Sequence, residues 1–371
     1  MDRNLEIYLV CVPGLEDMLA AEVRELGFEA PMVSPGGVTV TGGWEAVAHL
    51  NMWSRGATRV LVRIAAFRAM HLAQLDKRAR KIDWTALLAP GTTVRVEATC
   101  RKSRIYHAGA AKQRLERALT DVAGAKLSDD AALSIKLRID DDMCTVSVDT
   151  SGEPLHKRGH KSFVGKAPLR ETMAALMLRR CGYDGVEPVV DPMCGSGTFP
   201  IEAAEIAQGL APGRDRIFAY QSFANAPDPG GATGRGPFVA PTAEQTPETV
   251  RAFGRDRDAG AIRGATENAK RAGVLCDFQQ GPLSDLAPPS QTPGLVMVNP
   301  PYGARIGNRK LLFGLYGSLG QALTERFQGW RVGLVTSDAG LAKATNLPFL
   351  DPDPPIAHGG LKVTLWRTGD L

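Results

Sequence analysis

Three short stretches carry residues whose types and spacing can do chemistry. The first is Asn299-Pro300-Pro301-Tyr302-Gly303, directly after the apolar run Leu295-Val296-Met297-Val298. Successive prolines remove backbone donors and fix φ, so the run ends in a stiff turn that presents an amide, a bare carbonyl and an aromatic ring together. The Asn299 side-chain oxygen and the Pro300 carbonyl can accept hydrogen bonds from an exocyclic NH₂. That orients the amine, points its lone pair at an electrophile and stabilises the positive charge that develops on nitrogen. Tyr302 can stack on a base. The second stretch is Asp191-Pro192-Met193-Cys194-Gly195-Ser196-Gly197-Thr198-Phe199-Pro200, which reads as a strand-end carboxylate, a glycine turn and a helix start. Glycines in such a turn allow close backbone approach by a ligand. A dinucleotide loop reads G-x-G-x-x-G, but the third glycine position here is Pro200, which favours a nucleoside cofactor without a pyrophosphate. The third stretch is Gly254-Arg255-Asp256-Arg257-Asp258. Asp256 is placed to accept from both hydroxyls of a ribose, and Asp258 suits the N-cap of the following helix.

These residues need a scaffold that gathers strand ends. After residue 167 the pattern alternates regularly, with strands expected at 186–191, 251–256, 276–280, 294–299, 331–337 and 361–366. Helices are expected near 198–208, 258–272 and 311–326, and the alternation predicts a doubly wound α/β domain. In such sheets ligands bind outside the carboxyl ends of the strands. An excursion rich in Pro, Gly and Ala, about 227–241, interrupts the pattern. Upstream, strands are expected at 5–12, 38–40, 59–67 and 94–98. Helices are expected at 15–26, 44–52, 71–82 and 108–120, with a hairpin through Ile135–Ile139 and Cys144–Val148.

Composition narrows the partners. The 371 residues suit two or three domains. Six cysteines fall outside C-x-x-C pairs, so neither a zinc site nor a disulfide framework is indicated and no metal is expected. No apolar run reaches membrane-spanning length and no secretory signal is visible, so a cytoplasmic protein without membrane contact is expected. The net charge of +4 hides an asymmetry. Residues 1–54 hold two basic residues against eight carboxylates, whereas 55–117 hold fifteen against four. A second basic stretch follows from His156 to Arg180. Such an imbalance is the footprint of a polyanion such as a nucleic acid, and Arg101, Lys102, Arg104, Lys112, Lys157 and Arg158 are its candidate contacts.

Asp191 to Pro200, Asp256 and Asn299 to Gly303 together resemble class I S-adenosylmethionine-dependent methyltransferases that act on exocyclic amines. The resemblance extends upstream through Gly14-Leu15-Glu16, Arg55 with Arg59, Asp83-Trp84, Asp149-Thr150-Ser151-Gly152-Glu153, Leu155-His156-Lys157-Arg158-Gly159 and Ala167-Pro168-Leu169-Arg170-Glu171-Thr172. With these the chain is similar to the bacterial THUMP-domain guanine-N2 methyltransferases of 23S ribosomal RNA. The resemblance implies a ferredoxin-like unit at 1–54, a THUMP RNA-binding domain at 55–155 and a Rossmann-like methyltransferase domain at 156–371. It also implies S-adenosylmethionine as cofactor. Asp191, Met193, Cys194, Gly195, Gly197 and Thr198 would line its methionine side, Asp256 and Arg257 its ribose side, and Leu169 and Glu171 would close over it. Asn299, Pro300, Pro301 and Tyr302 would hold the target base. The family often places an Asp against the adenine amine; here Ser284, Asp285 or a backbone group takes that place. The well-known enterobacterial relative is fused to a second, guanine-N7 methyltransferase, and no N7 activity is expected of a chain ending at Leu371. A monomer acting on ribosomal RNA is expected. Transfer-RNA guanine-N2 or adenine-N6 methylation, and a non-catalytic RNA-binding assembly factor, are the alternatives.

Overall fold

Alternating apolar residues build the first sheet. The computed structural model describes residues 4–164, 169–223, 251–302 and 309–371. The chain divides into two compact units, one containing residues 20–155 and the other 156–212 and everything described after 251. The elements of the N-terminal part are β1 (Leu5–Val10), α1 (Glu16–Glu25), β2 (Met32–Ser34), β3 (Gly37–Gly42), α2 (Trp44–Trp53), β4 (Arg59–Arg68) and α3 (Leu72–Ala79). They continue with β5 (Thr93–Arg101), α4 (Ala108–Ala123), β6 (Lys126–Leu127), β7 (Leu133–Asp140) and β8 (Met143–Asp149). One eight-stranded sheet holds them in the order β2-β3-β1-β4-β8-β7-β5-β6. The expected hairpin is β7–β8, with Ile135 opposite Val148, Leu137 opposite Val146 and Ile139 opposite Cys144, all buried. Alternation thus puts every apolar partner on one face.

The charge change at Arg55 marks no break in this sheet. β4 pairs antiparallel with β1 through Arg59–Arg63 and with β8 from Leu61 to Arg68, with a register shift between Arg63 and Ala65. A buried polar network fixes the start of that strand. Asn51 donates to Thr150 Oγ1 at 2.9 Å and accepts from Ser151 Oγ at 2.7 Å, and Ser151 Oγ also takes the Val60 N–H at 2.8 Å. Arg59 pairs with the fully buried Asp149 and donates to the Gly152 carbonyl at 2.6 Å.

The second unit contains α5 (Glu171–Arg180), β9 (Val189–Asp191), α6 (Thr198–Ala207), β10 (Ala252–Asp256), α7 (Ala259–Ala272) and β11 (Asp277–Gln280). After these come β12 (Leu295–Val298), α8 (Arg309–Arg326), β13 (Arg331–Thr336), α9 (Ala339–Ala344), β14 (Ile356–His358) and β15 (Leu361–Arg367). The sheet order is β11-β10-β9-β12-β13-β15-β14, parallel except around β15. All four residues of β12 are buried, as a parallel strand covered on both faces requires. Small side chains, Ala204, Ala252, Ala269 and Ala272, let α6 and α7 approach β10 closely. The long elements lie where periodicity places them. The short strands β2, β6 and β14 and the helix α9 carry too few residues to show a period. The excursion at 227–241, with Pro168 and Gly303, lies outside the described residues. Among the described residues no helix is long and apolar enough to cross a membrane.

Candidate functional site

β9 is the point where the strand order reverses: β10 and β11 follow on one side, β12 and β13 on the other. The crevice of an open α/β sheet opens at such a reversal. All three chemical stretches fall at strand ends there, because each follows β9, β10 or β12. Asp191 ends β9, is buried, and accepts from the Met193 N–H at 3.0 Å. Burial pushes its carboxyl up to about 8, and the neighbouring Asp256 charge adds to the effect. Asp256 ends β10. One of its oxygens accepts from the Gly195 N–H at 3.0 Å and the other from the Asp258 N–H at 2.9 Å. Asp258 caps α7, accepting from Gly260 and Ala261 N–H at 2.7 and 3.3 Å.

The glycine loop is tied down at both ends, by Cys194 N–H to the Arg255 carbonyl and Gly197 N–H to the Cys194 carbonyl, each 2.8 Å. Its two glycines serve different needs. Gly197 has φ +81°, and a Cβ there would meet Phe278 at 3.0 Å and Ala265 at 3.1 Å. Gly195 has φ +52°, and a Cβ there would meet nothing within 4 Å. The first is required by packing, while the second leaves the backbone open to a ligand. Burial pushes the Cys194 thiol far up, so it stays protonated.

At the end of β12 the Asn299 Oδ1 is buried and has no hydrogen-bond partner. Such an atom costs free energy unless something supplies a donor. Pro300 and Tyr302 are buried beside it, and burial pushes the Tyr302 hydroxyl up to about 12, so the ring is neutral. The turn is braced from α8 by Tyr316, whose hydroxyl donates to the Pro301 carbonyl at 3.4 Å and lies 3.3 Å from Thr336 Oγ1. Tyr316 was not among the candidates. It sits among the apolar positions of a helix, where a phenol looks like core.

The segment before α5 is fastened to the same loop. Lys161 Nζ donates to Thr198 Oγ1 at 2.9 Å, pairs with Glu171 at 3.0 Å and reaches the Leu169 carbonyl at 3.4 Å. Leu169 and Glu171 are buried. Asn268 on α7 accepts from the Ser162 and Phe163 N–H groups at 3.1 and 3.2 Å and donates to the Phe163 and Ser196 carbonyls at 3.0 and 3.1 Å. Lys161 thus reaches Thr198, 37 residues on, and Asn268 reaches Ser162, 106 residues back, which sequence spacing does not reveal. The Arg257 side chain is exposed. Ser284 and Asp285 are exposed in a tight turn and bonded to each other at 2.9 Å.

The basic candidates separate by burial. Arg101, Lys102, Arg104 and Lys157 are exposed. Lys112 is half-buried, its ammonium 3.1 Å from Asp129 and 3.6 Å from Glu116. Arg158 is a correction: it is 3% exposed and pairs with the buried Glu202 at 3.3 Å, so it presents no charge to a polyanion. His160 stands 3.9 Å from Glu205, one turn further along α6. Among the described residues no group of three or more His, Cys, Asp or Glu is arranged to hold a metal ion.

Comparison with known proteins agrees with this layout. Residues 158–348 match the family described as RMKL-like, methyltransferase domain; 6–61 match the RlmL ferredoxin-like domain and 69–149 the THUMP domain. The ribosomal RNA large subunit methyltransferase K/L of Syntrophotalea carbinolica is 35% identical over 367 residues, covering 92% of this chain and 50% of the relative. This chain therefore spans about half the length of that relative. A provisionally named RNA methyltransferase of Synechocystis is 30% identical over 366 residues, covering 95% of this chain and 94% of its own. The crystal structure of a provisionally assigned methyltransferase complexed with SAH superposes with a TM-score of 0.88 at 26% identity, covering 100% of this chain and 99% of the other. With a class I α/β sheet behind ferredoxin-like and THUMP domains, the chain belongs to the RMKL-like methyltransferase family.

Proposed function

We propose that this chain methylates the exocyclic N2 of a guanosine in RNA, with large-subunit ribosomal RNA as its substrate and S-adenosylmethionine as its methyl donor. The observation that carries the reading is the buried, unpartnered Asn299 Oδ1 at the end of β12, beside the crevice at β9. The name of the K/L relative and the SAH held by the structural neighbour support it.

The residues present fit the cofactor, since the open side of Gly195 leaves room beside a glycine loop flanked by two carboxylates. Asp191, Met193, Cys194, Gly195, Gly197 and Thr198 would hold its methionine side and Asp256 and Arg257 its ribose. Leu169 and Glu171, fixed by Lys161, would cover it. When bound, S-adenosylmethionine supplies an electrophilic methyl group on a sulfonium. The chain does the rest by positioning. A guanine extruded from its stack lies against the Tyr302 ring. Asn299 Oδ1 and the Pro300 carbonyl accept from its amine, fix the lone-pair direction and stabilise the charge that grows on nitrogen. The Tyr302 hydroxyl, neutral at physiological pH, adds no competing charge. The amine proton leaves to solvent. Exposed cations of the N-terminal unit hold the RNA through its phosphates, so binding weakens steeply with salt.

The test is incubation of the purified chain with S-adenosylmethionine and unmodified large-subunit ribosomal RNA, then mass spectrometry of the digested nucleosides. N2-methylguanosine is expected. N6-methyladenosine would replace guanine by adenine as the target, since Asn299 can accept from either amine. Modification of transfer RNA alone would change the substrate. No methylated nucleoside in either RNA, with no heat of cofactor binding in calorimetry, would leave only an RNA-binding role.

A further inference from the structure

The segment 102–107, between β5 and α4, holds an aromatic ring with no structural task. Tyr106 is 84% exposed. Its neighbours are fixed on both sides. Ile105 is buried, and His107 caps α4 by accepting from the Ala110 N–H at 3.0 Å. The residues before it are fixed as well: the Arg104 N–H donates to Asp142 Oδ1 at 2.8 Å, and Ser103 Oγ donates to the Arg101 carbonyl at 2.6 Å. Lys102 adopts φ +46°, a left-handed conformation uncommon for a lysine. The ring is therefore held out between anchored residues and does not swing on a loose loop.

Charge surrounds it. Arg101, Lys102 and Arg104 are exposed within five residues of Tyr106. The acids facing this segment are Asp140, Asp141 and Asp142 of the β7–β8 turn. Arg138 engages Asp140 at 2.7 Å, Arg68 engages Asp141 at 3.7 Å, and Asp142 bonds the Arg104 backbone and stands 4.0 Å from its exposed guanidinium. With Arg68 and Arg138 counted, five cations meet three carboxylates, which leaves the patch positive. A flat exposed ring beside cations matches an unpaired nucleotide, whose base stacks while its phosphates pair with the cations. A duplex offers the phosphates but keeps its base faces covered.

We propose that Tyr106 is a stacking platform for an unpaired nucleotide of the RNA substrate, with Arg101, Lys102 and Arg104 contacting the flanking phosphates. The proposal rests on the reading of the chain as an RNA methyltransferase. It adds that the N-terminal unit selects single-stranded over duplex RNA at this segment. The experiment is fluorescence anisotropy with the full chain, using a labelled unstructured oligopyrimidine RNA and a blunt RNA duplex of equal length. Tyr106→Ala should weaken single-strand binding about ten-fold, Tyr106→Phe should keep it, and duplex binding should not change. The salt slope should be the same for Tyr106→Ala and wild type but shallower for the Arg101→Gln, Lys102→Gln, Arg104→Gln variant. Thermal melting of each variant controls for folding, and an exposed ring should leave it unmoved. Single-strand binding unaffected by Tyr106→Ala, as for a ring that docks a protein, overturns the proposal. So does an equal loss for Tyr106→Phe. If wild type methylates RNA while Tyr106→Ala binds normally, only this inference falls; if wild type binds no RNA, both fall.

Discussion

A side-chain oxygen shut away from water needs a donor, and Asn299 waits for one at the end of a fully buried strand. Asn299→Ala removes the acceptor without touching the cofactor loop or the basic patch. Turnover should fall at least about a hundred-fold, as for loss of one preorganised electrostatic contact, while affinity for RNA and S-adenosylmethionine stays near wild type. A methyl-transfer assay beside equilibrium binding checks it; undiminished turnover would remove Asn299 from the mechanism. Asp191 is out of the ordinary in another way. In the unfolded chain its carboxyl ionises near 4, in the folded chain at about 8. Between those values the unfolded state has released a proton that the folded state keeps, so the Asp191 contribution to stability falls as pH rises across this window and is level above it. Asp191→Asn has no such proton. Urea midpoints should fall less between pH 5 and 8 for the variant than for wild type. Equal slopes would mean that Asp191 is ionised in the fold.

Elements are held to the glycine loop by partners distant in sequence. The segment 156–164 is fixed to α6 by the Arg158–Glu202 pair, almost wholly removed from water. Removing one member of such a pair takes the counter-charge from the other in a site without water. Arg158→Ala or Glu202→Ala should each cost about 3–5 kcal/mol in urea unfolding, whereas Arg158→Met with Glu202→Leu should recover most of it. If Arg158→Ala unfolds like wild type, the pair is ornamental. Arg158 also marks where sequence reading stops. A basic run gives charge but not burial, and only the fold reveals that one arginine in Lys157-Arg158 turns inward. Tyr316, Lys161 and Asn268 escaped notice for a related reason: each acts across a gap of sequence through contacts that no local period encodes. The strand-end positions of Asp191, Asp256 and Asn299 are legible because a strand end is a local event, signalled by an apolar run and a turn residue.

For the whole molecule, the charge step at Arg55 and the continuity of the first sheet describe different things. The change in composition is a change in charged side chains, while the sheet follows the alternation of apolar residues straight through it. Because β4 pairs with β1 through Arg59–Arg63 and with β8 from Leu61 onward, the two pieces matched separately as ferredoxin-like and THUMP are joined through one strand. That sharing governs what can be cut away. A chain starting at Arg55 would keep β4 but lose β1, baring a row of amide and carbonyl groups beside Val60 and Val62. An unsheltered strand of that kind recruits copies of itself. The truncated protein should therefore elute from size-exclusion chromatography as polydisperse aggregates, where the full chain elutes as one species. A truncated form as well dispersed as the full chain would mean that β4 tolerates solvent on that side. If the truncated form aggregates, the acidic first fifty residues act less as a domain in their own right than as a built-in guard against self-assembly.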